Sequence, residues 1–185
     1  MGANAQRRSA SQTIGPFFGF ALPSPAAAWV VREGSAGALV LRGRLLDGLG
    51  APITDGLIES WQADPRGRFP SDATEAAGFR GFGRCATDAE GRYAIVTVKP
   101  GAVRAADGVV HAPQIAVSIF ARGLLKRAVT RVYFPDEPAA NAADPVLTGL
   151  NDAALRATLM AVAIDGGYEF DIRMQGAGET VFFDV

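Results

Sequence analysis

Few side chains in this sequence of 185 residues could bind a transition metal. His111 is the only histidine and Cys85 the only cysteine, so most imidazole or thiolate metal sites cannot be built from this chain alone. A carboxylate cluster, or ligands borrowed from a second chain, could still hold a metal. Without a second histidine to activate it, Cys85 is expected to be a small buried residue rather than a nucleophile.

Other catalytic signatures are absent from the sequence. It contains neither a GxSxG nucleophile elbow nor a phosphate-binding P-loop. Glu59, Asp64 and Asp88 come near the ends of expected strands, where turn and cap roles predominate. Trp61 and Tyr93 are expected to be core or subunit-interface aromatics.

The composition is that of an ordinary globular protein. Apolar residues make up 49% of the chain, charged residues 20%, and the formal net charge is −1. No block of like charge suggests nucleic acid or an anionic membrane as a partner, and no apolar run reaches membrane-spanning length. The polar N-terminus lacks the apolar stretch of a secretory signal, so we expect a cytoplasmic protein.

Short strands separated by turn residues account for most of the chain. Regular strands bounded by Gly, Pro and Asp favour an antiparallel β-sandwich. Two long loops, residues 69–83 and 101–111, could carry function or could simply vary. The expected strands are residues 38–46, 56–63, 92–98, 113–121, 128–134, 168–175 and 181–185.

One helix is expected near residues 152–163. Asp152 can cap its first turn, and Leu155, Leu159 and Val162 recur at helical spacing. The Asp-Gly-Gly sequence that follows would end this helix.

The first 30 residues show no periodic pattern. Their prolines and glycines favour an extended arm, and their phenylalanines indicate that it packs in a groove of its own body or of a partner. We therefore divide the chain into an N-terminal arm, residues 1–30, and a β-sandwich domain, residues 31–185.

Several motifs, read in order, resemble the intradiol ring-cleavage dioxygenases over residues 11–185. Each motif is weak alone, but their order makes the set specific. The final GETVFFDV is typical of the family's α chains rather than of its catalytic β chains. The motifs are SQTIGPF, ESWQAD, TVKPG, SIFARGL, TRVYF and FDIRMQGAGETVFFDV.

The resemblance implies a mixed β-sandwich and an iron ligand set that is missing here. Catalytic chains of the family hold Fe(III) with two tyrosines and two histidines, and the histidines occupy alternate positions of one strand, which face the same way. Here Gln114 and Ala116 stand at those positions. Ala102, not tyrosine, follows the Lys-Pro-Gly turn, and the loop at 69–83 contains no tyrosine. No residue of this chain is therefore expected to bind the metal or to be catalytic.

The resemblance also implies that part of this chain reaches a partner's active site. The family's α chains line the mouth of that site with residues that correspond to Thr13, Gly15, Pro16 and Arg122. Arg122 is an even number of residues away from the vacant ligand positions, so its side chain would face the same side if the strand stays regular. Its guanidinium is suited to pair with a substrate carboxylate. An interface or surface ion pair is an equally open reading of Arg122. His111 is expected to be a loop or core-edge residue.

The implied function is that of a non-catalytic α subunit. It would complete the substrate pocket and the assembly of a catalytic β subunit that carries Fe(III), in an αβ hetero-oligomer. The implied reaction is the O2-dependent intradiol cleavage of 3,4-dihydroxybenzoate to 3-carboxy-cis,cis-muconate. Two alternatives remain open: a transthyretin-like β-sandwich binding module without catalysis, and a self-sufficient enzyme that uses carboxylates and a different metal.

Overall fold

A computed structural model describes residue 15, residues 17–71 and residues 78–184. Its strands are β1 (Ala38–Leu46), β2 (Leu57–Trp61), β3 (Phe82–Ala86), β4 (Arg92–Val98), β5 (Val103–Arg104), β6 (Val110–His111), β7 (Gln114–Phe120), β8 (Ala128–Tyr133), β9 (Val162–Ile164), β10 (Gly167–Glu169) and β11 (Ile172–Arg173). Its helical segments are α1 (Phe18–Ala21), a 3-10 turn (Pro25–Ala28), α2 (Pro138–Ala143), α3 (Pro145–Gly149) and α4 (Ala153–Ala157). No helix in these residues is long and apolar enough to cross a membrane.

Burial along β7 follows the period of two that predicts a strand. Ile115, Val117 and Ile119 are buried in the core, whereas Gln114 and Ala116 point to the opposite face and are half-buried. One row of β7 side chains thus stabilises the sandwich, and the other is free to line a site on the outer face of the sheet.

The described strands form two main sheets and a short ribbon. In the first sheet β1 pairs antiparallel with β4 and parallel with β10 and β11, while β9 pairs with β10. The second sheet is antiparallel, in the order β3-β2-β7-β8, and β5 pairs with β6 in the ribbon. Leu41 and Ile95 from the first sheet pack in one core with Ile58 and Ile119 from the second. The mixed β-sandwich is confirmed, and the purely antiparallel arrangement is wrong.

The parallel pairing of β1 depends on a close backbone approach at Gly43. A Cβ atom at this position would lie 1.9 Å from the carbonyl oxygen of Phe170, which links β10 to β11. The buried hydroxyl of Tyr93 donates a hydrogen bond to the same oxygen at 2.6 Å. A larger residue at position 43 would therefore separate the strand from its two parallel neighbours.

The helix expected near residues 152–163 is shorter than predicted. α4 covers only the first part of that range. Beyond it, Tyr133 N–H donates to the Leu159 carbonyl at 2.9 Å, and Ala161 N–H donates to the Tyr133 carbonyl at 3.0 Å. These bonds to β8 replace helical ones, and Val162 then begins β9.

Two other segments differ from the sequence prediction. The end of the loop expected at 69–83 belongs to β3, where Arg84 pairs with Glu59 across the ladder at 2.5 Å. Residues 181–184, expected as strand, form none. Isolated hydrogen bonds hold these residues in place, such as the one from Phe183 N–H to the Val129 carbonyl at 2.8 Å.

The described part of the N-terminal arm is helical where an extended chain was expected. It contains α1 and the 3-10 turn, which begins with Pro25 at its first position. Val30 is fully buried, and its N–H donates to the Val96 carbonyl at 2.8 Å. The division into an arm at 1–30 and a domain at 31–185 stays a prediction.

Candidate functional site

A cavity of about 400 Å³ lies on the outer face of the second sheet. It is formed by β7 and β8, the end of β2, the loop that follows β2, and the β5–β6 ribbon. The lining residues are Trp61, Gln62, Ala63, Gly67, Phe69, Val103, Arg104, Ala105, His111, Gln114, Ala116 and Arg131. This volume lies within the range of about 300–1,000 Å³ that is usual for small-molecule sites.

The cavity contains both strand positions at which the family's catalytic chains carry histidines. Gln114 and Ala116 line it from β7, and Val103 lines it just after the Lys-Pro-Gly turn. A carboxamide is a poor ligand for ferric iron, and alkyl side chains are none. In the described part of the chain no three His, Cys, Asp or Glu residues come close enough to hold a metal. The donor set here does not fit a non-haem ferric ion.

Three polar atoms at this cavity are buried without a hydrogen-bond partner among the described residues. They are Nδ1 of His111, Oε1 of Gln114 and Nη1 of Arg131. His111 Nδ1 is 3.5 Å from Oδ2 of the fully buried Asp144, too far for a good hydrogen bond. His111 thus lies on the cavity wall, at the strand edge, as a partly buried residue.

Sequence reasoning did not single out Arg131 as a site residue. It lies directly across the ladder from Ala116, so it shares the outer face of the sheet. Its guanidinium carbon is 5.6 Å from the ring centre of Phe183, which holds the group over the ring by a cation–π contact. The alternation of side chains along TRVYF could have placed Arg131 on the outer face of the sheet. Only its pairing with Ala116 in β7 shows that it reaches the cavity.

Aromatic rings form the mouth of the cavity. Trp61 and Phe69 stack nearly parallel, with ring centres 5.9 Å apart and an interplanar angle of 8°. Trp61 is 45% exposed, so of the two expectations, core or subunit-interface aromatic, only the second stays a prediction for this side chain. Tyr93, by contrast, is buried in the core.

Gln62 fixes the inner wall of the cavity to the first sheet. Its Nε2 donates to the Val98 carbonyl at 2.8 Å, and Thr97 Oγ1 donates to its Oε1 at 2.5 Å. All three residues are buried, so hydrogen bonds between paired polar groups fix the position of this wall.

The loop that carries Gly67 and Phe69 is organised by Asp64. The carboxylate of Asp64 accepts hydrogen bonds from the backbone N–H groups of Arg66 and Arg68, and from the Arg68 guanidinium at 2.7 and 2.9 Å. Burial alone raises the pKa of Asp64, but these bonds outweigh it and hold the pKa below its ordinary value.

Substituting Asp64 by asparagine is expected to remove an acid-sensitive part of the stability. A carboxyl whose folded pKa is lowered contributes stability that is present above its unfolded pKa of about 4 and is lost as the pH falls through the folded pKa. Asp64→Asn should therefore be less stable than wild type at pH 7, and the difference should shrink towards pH 3 in urea unfolding. Asp88→Asn is the control, because Asp88 accepts two turn N–H bonds, from Glu90 and Arg92, but has no ion pair among the described residues. A constant difference between pH 7 and pH 3 would contradict this role for Asp64.

Arg122 does not line this cavity. β7 ends at Phe120, and the four residues from Ala116 to that end already span about 13 Å at the rise of a strand. Arg122 lies in the following turn, with its side chain 78% exposed and its Nε donating to the Asp55 carboxylate. The strand stops before Arg122, so the regular strand that would turn it towards the vacant ligand positions does not reach it, and its role in substrate binding stays a prediction.

Of the arm residues predicted to bind substrate, the structure describes only Gly15. Its φ of +83° is in the left-handed region, and nothing lies within 4 Å of where a Cβ atom would be placed. Glycine therefore permits the left-handed backbone conformation at this position, and it is not needed to make room for a neighbouring atom of this chain. Thr13 and Pro16 lie outside the described residues.

Comparison with known proteins finds similar chains over nearly the whole length. A family model described as Dioxygenase matches residues 31–176. The protocatechuate 3,4-dioxygenase alpha chain of Burkholderia cepacia is 44% identical over an alignment 200 positions long, which covers 97% of this chain and 98% of that one. The alpha chain of the same name from Pseudomonas putida is 40% identical over 190 residues and 94% of each chain. The structure of the dioxygenase domain of a dioxygenase–carbohydrate-binding fusion from Streptomyces sp. SirexAA-E has a TM-score of 0.62 and 27% identity, covering 90% of this chain and 97% of that one.

Proposed function

This chain belongs to the dioxygenase family whose model spans residues 31–176, and from that premise we propose that it is the non-catalytic α subunit of a protocatechuate 3,4-dioxygenase. The names of the two relatives described above support the choice of subunit, since both are alpha chains at 40–44% identity over more than nine-tenths of this chain, whereas a beta chain from Burkholderia cepacia is 37% identical over 77% of it. The enzyme would cleave 3,4-dihydroxybenzoate with O2 to 3-carboxy-cis,cis-muconate. A cytoplasmic location within aromatic catabolism is part of the proposal.

The observation that carries the proposal is the side-chain set at the vacant ligand positions. Gln114 and Ala116, at two of these positions, and Val103, next to Ala102 at a third, line the cavity without offering an imidazole, a phenolate or a carboxylate. We therefore assign the Fe(III) to a partner β chain. That ion, when bound there, supplies the redox chemistry of ring cleavage, and no step of it passes through residues of this chain.

The contribution of this chain would be to bind and orient the substrate at the partner's site. Arg122 presents a guanidinium outside the sandwich, where it could pair with the substrate carboxylate instead of Asp55. Gly15 turns the backbone of the arm, whose neighbours Thr13 and Pro16 are proposed to line the same pocket.

Co-purification with the β chain tests this function. We expect the chain expressed alone to contain no stoichiometric iron and to show no ring cleavage. Co-expressed with a β chain, it should elute as an αβ complex with about one iron per pair, with activity above that of the β chain alone.

The same experiment separates the proposal from its alternatives. Tightly bound iron in the isolated chain would overturn the proposal, and another stoichiometric metal would indicate a self-sufficient enzyme. Failure to associate with any ferric β-type chain would favour a binding module.

A further inference from the structure

The cavity beside β7 combines an unpaired donor with an unpaired acceptor. Nη1 of Arg131 is a donor and Oε1 of Gln114 an acceptor, and neither has a hydrogen-bond partner among the described residues. Folded proteins rarely leave such buried groups unpaired, because each has lost its bonds to bulk water. A ligand that carries both an acceptor and a donor would satisfy both groups.

The charge of the cavity favours an anion. Arg104 and Arg131 line it, and none of its lining residues is acidic. Of the carboxylates in the adjoining segments, Asp64 is paired with the Arg68 guanidinium, and Asp144 is fully buried behind the wall, 3.5 Å from Nδ1 of His111. Two guanidinium groups in a concave, partly buried site therefore leave a positive potential.

The walls of the cavity favour a flat ring. The stacked pair of Trp61 and Phe69 supplies an aromatic surface at the mouth, and Ala116 leaves the wall beside Gln114 free of bulk. Aromatic pairs gain from such offset or parallel contacts. Charge, hydrogen-bonding groups and shape thus point to the same class of molecule.

We propose that this cavity binds a small hydroxylated aromatic carboxylate without transforming it. The carboxylate would pair with Arg131 and Arg104, the ring would pack on Trp61, and a ring hydroxyl would donate to Oε1 of Gln114. All of the residues that line this site belong to this chain, and the proposal rests on the proposed function only in that its test uses the assembled αβ complex.

Calorimetric titration of the assembled complex with 4-hydroxybenzoate tests this site. We expect one more binding site per αβ pair than the ferric site provides, and at least a tenfold loss of affinity at that extra site in Arg131→Gln. Visible absorption of the ferric centre reports the partner's site separately, and its titration should be unchanged by the substitution. Arg92→Gln is the matched control, because Arg92 is an exposed arginine that pairs with Glu90 away from the cavity.

Two further measurements guard against misfolding and unspecific anion binding. Arg104→Gln changes a cavity-lining side chain of the exposed ribbon, whose Nη1 donates to the Gly108 carbonyl at 3.0 Å, and it should also weaken the extra site, which keeps the test valid if Arg131→Gln does not fold. Acetate should bind at least tenfold more weakly than 4-hydroxybenzoate. The absence of an extra site, its persistence in both variants, or equal binding of acetate would each overturn the proposal.

Discussion

Replacing Arg122 by alanine is expected to raise the KM of the assembled enzyme for 3,4-dihydroxybenzoate about tenfold or more and to leave kcat nearly unchanged. A hydrogen bond to a charged group contributes about 1.5–3 kcal/mol, and 1.4 kcal/mol corresponds to a factor of about ten. The carboxylate does not react, so its contact should be equal in the bound substrate and the transition state. Loss of such uniform binding raises KM alone.

The exposure of Arg122 explains why the effect should fall on binding. Its side chain is 78% exposed and its partner, Asp55, is itself accessible. Exposed ion pairs contribute little to stability, so the substitution should leave the fold intact. Because the guanidinium faces solvent, the increase in KM should also diminish at high ionic strength.

Three controls isolate the carboxylate contact. A neutral catechol should show no change in KM, because it lacks the carboxylate with which Arg122 is proposed to pair. Arg122→Lys should fall between wild type and alanine, since it keeps the charge but loses the planar fork. Arg92→Ala removes another exposed, ion-paired arginine and should have no effect. An unchanged KM in Arg122→Ala at full iron content would make Arg122 a purely structural residue.

Local patterns predicted the central strands well. β1 and β4 have the expected bounds, residues 38–46 and 92–98, because apolar β-formers alternate there between Gly, Pro and Asp turns. The same alternation predicted which side chains of β7 face outwards, and it places Gln114 and Ala116 together on one wall of the cavity.

Long-range pairing decided the features that local patterns missed. The helical spacing of Leu155, Leu159 and Val162 was real, but backbone bonds between β8 and the segment after α4 ended the helix early. The parallel partners of β1 lie more than 120 residues away in sequence, and no local signal reports such a pairing.

The site was predictable only in part for the same reason. Gln114 and Ala116 could be placed by motif and strand parity. Arg131 reaches the cavity through its register with Ala116, and Arg104 through the ribbon, so both depend on tertiary structure. A local pattern could have indicated the start of α3, since Asp144 followed by Pro145 is a typical helix start.

Replacing Asp144 by alanine is expected to lower the free energy of unfolding by at least about 3 kcal/mol. Its side chain is fully buried and accepts four hydrogen bonds, from Val146 N–H and Leu147 N–H at the start of α3, from Ala112 N–H, and from the Tyr133 hydroxyl. Alanine would leave all four donors without this acceptor, three of them buried and that of Val146 partly buried, and each buried unpaired group costs about 1–3 kcal/mol. Urea unfolding at pH 7 measures the loss.

Asp152 provides a matched control for Asp144. It also precedes a short helix, but it lies at the surface and its side chain caps only Ala154 N–H, at 2.8 Å. Asp152→Ala should therefore cost only about 1 kcal/mol, the usual effect of losing an exposed N-cap. Similar losses in the two variants would contradict a special role for the buried carboxylate.

The effect of Asp144 should extend to the cavity. Its bond to Ala112 N–H at 2.9 Å fixes the junction between β6 and β7, which positions His111 and Gln114 on the cavity wall. In Asp144→Ala that still folds at low temperature, binding of 4-hydroxybenzoate at the extra site should weaken, whereas Asp152→Ala should bind it as wild type does. Unchanged binding in Asp144→Ala would mean that the strand register alone holds the cavity in shape.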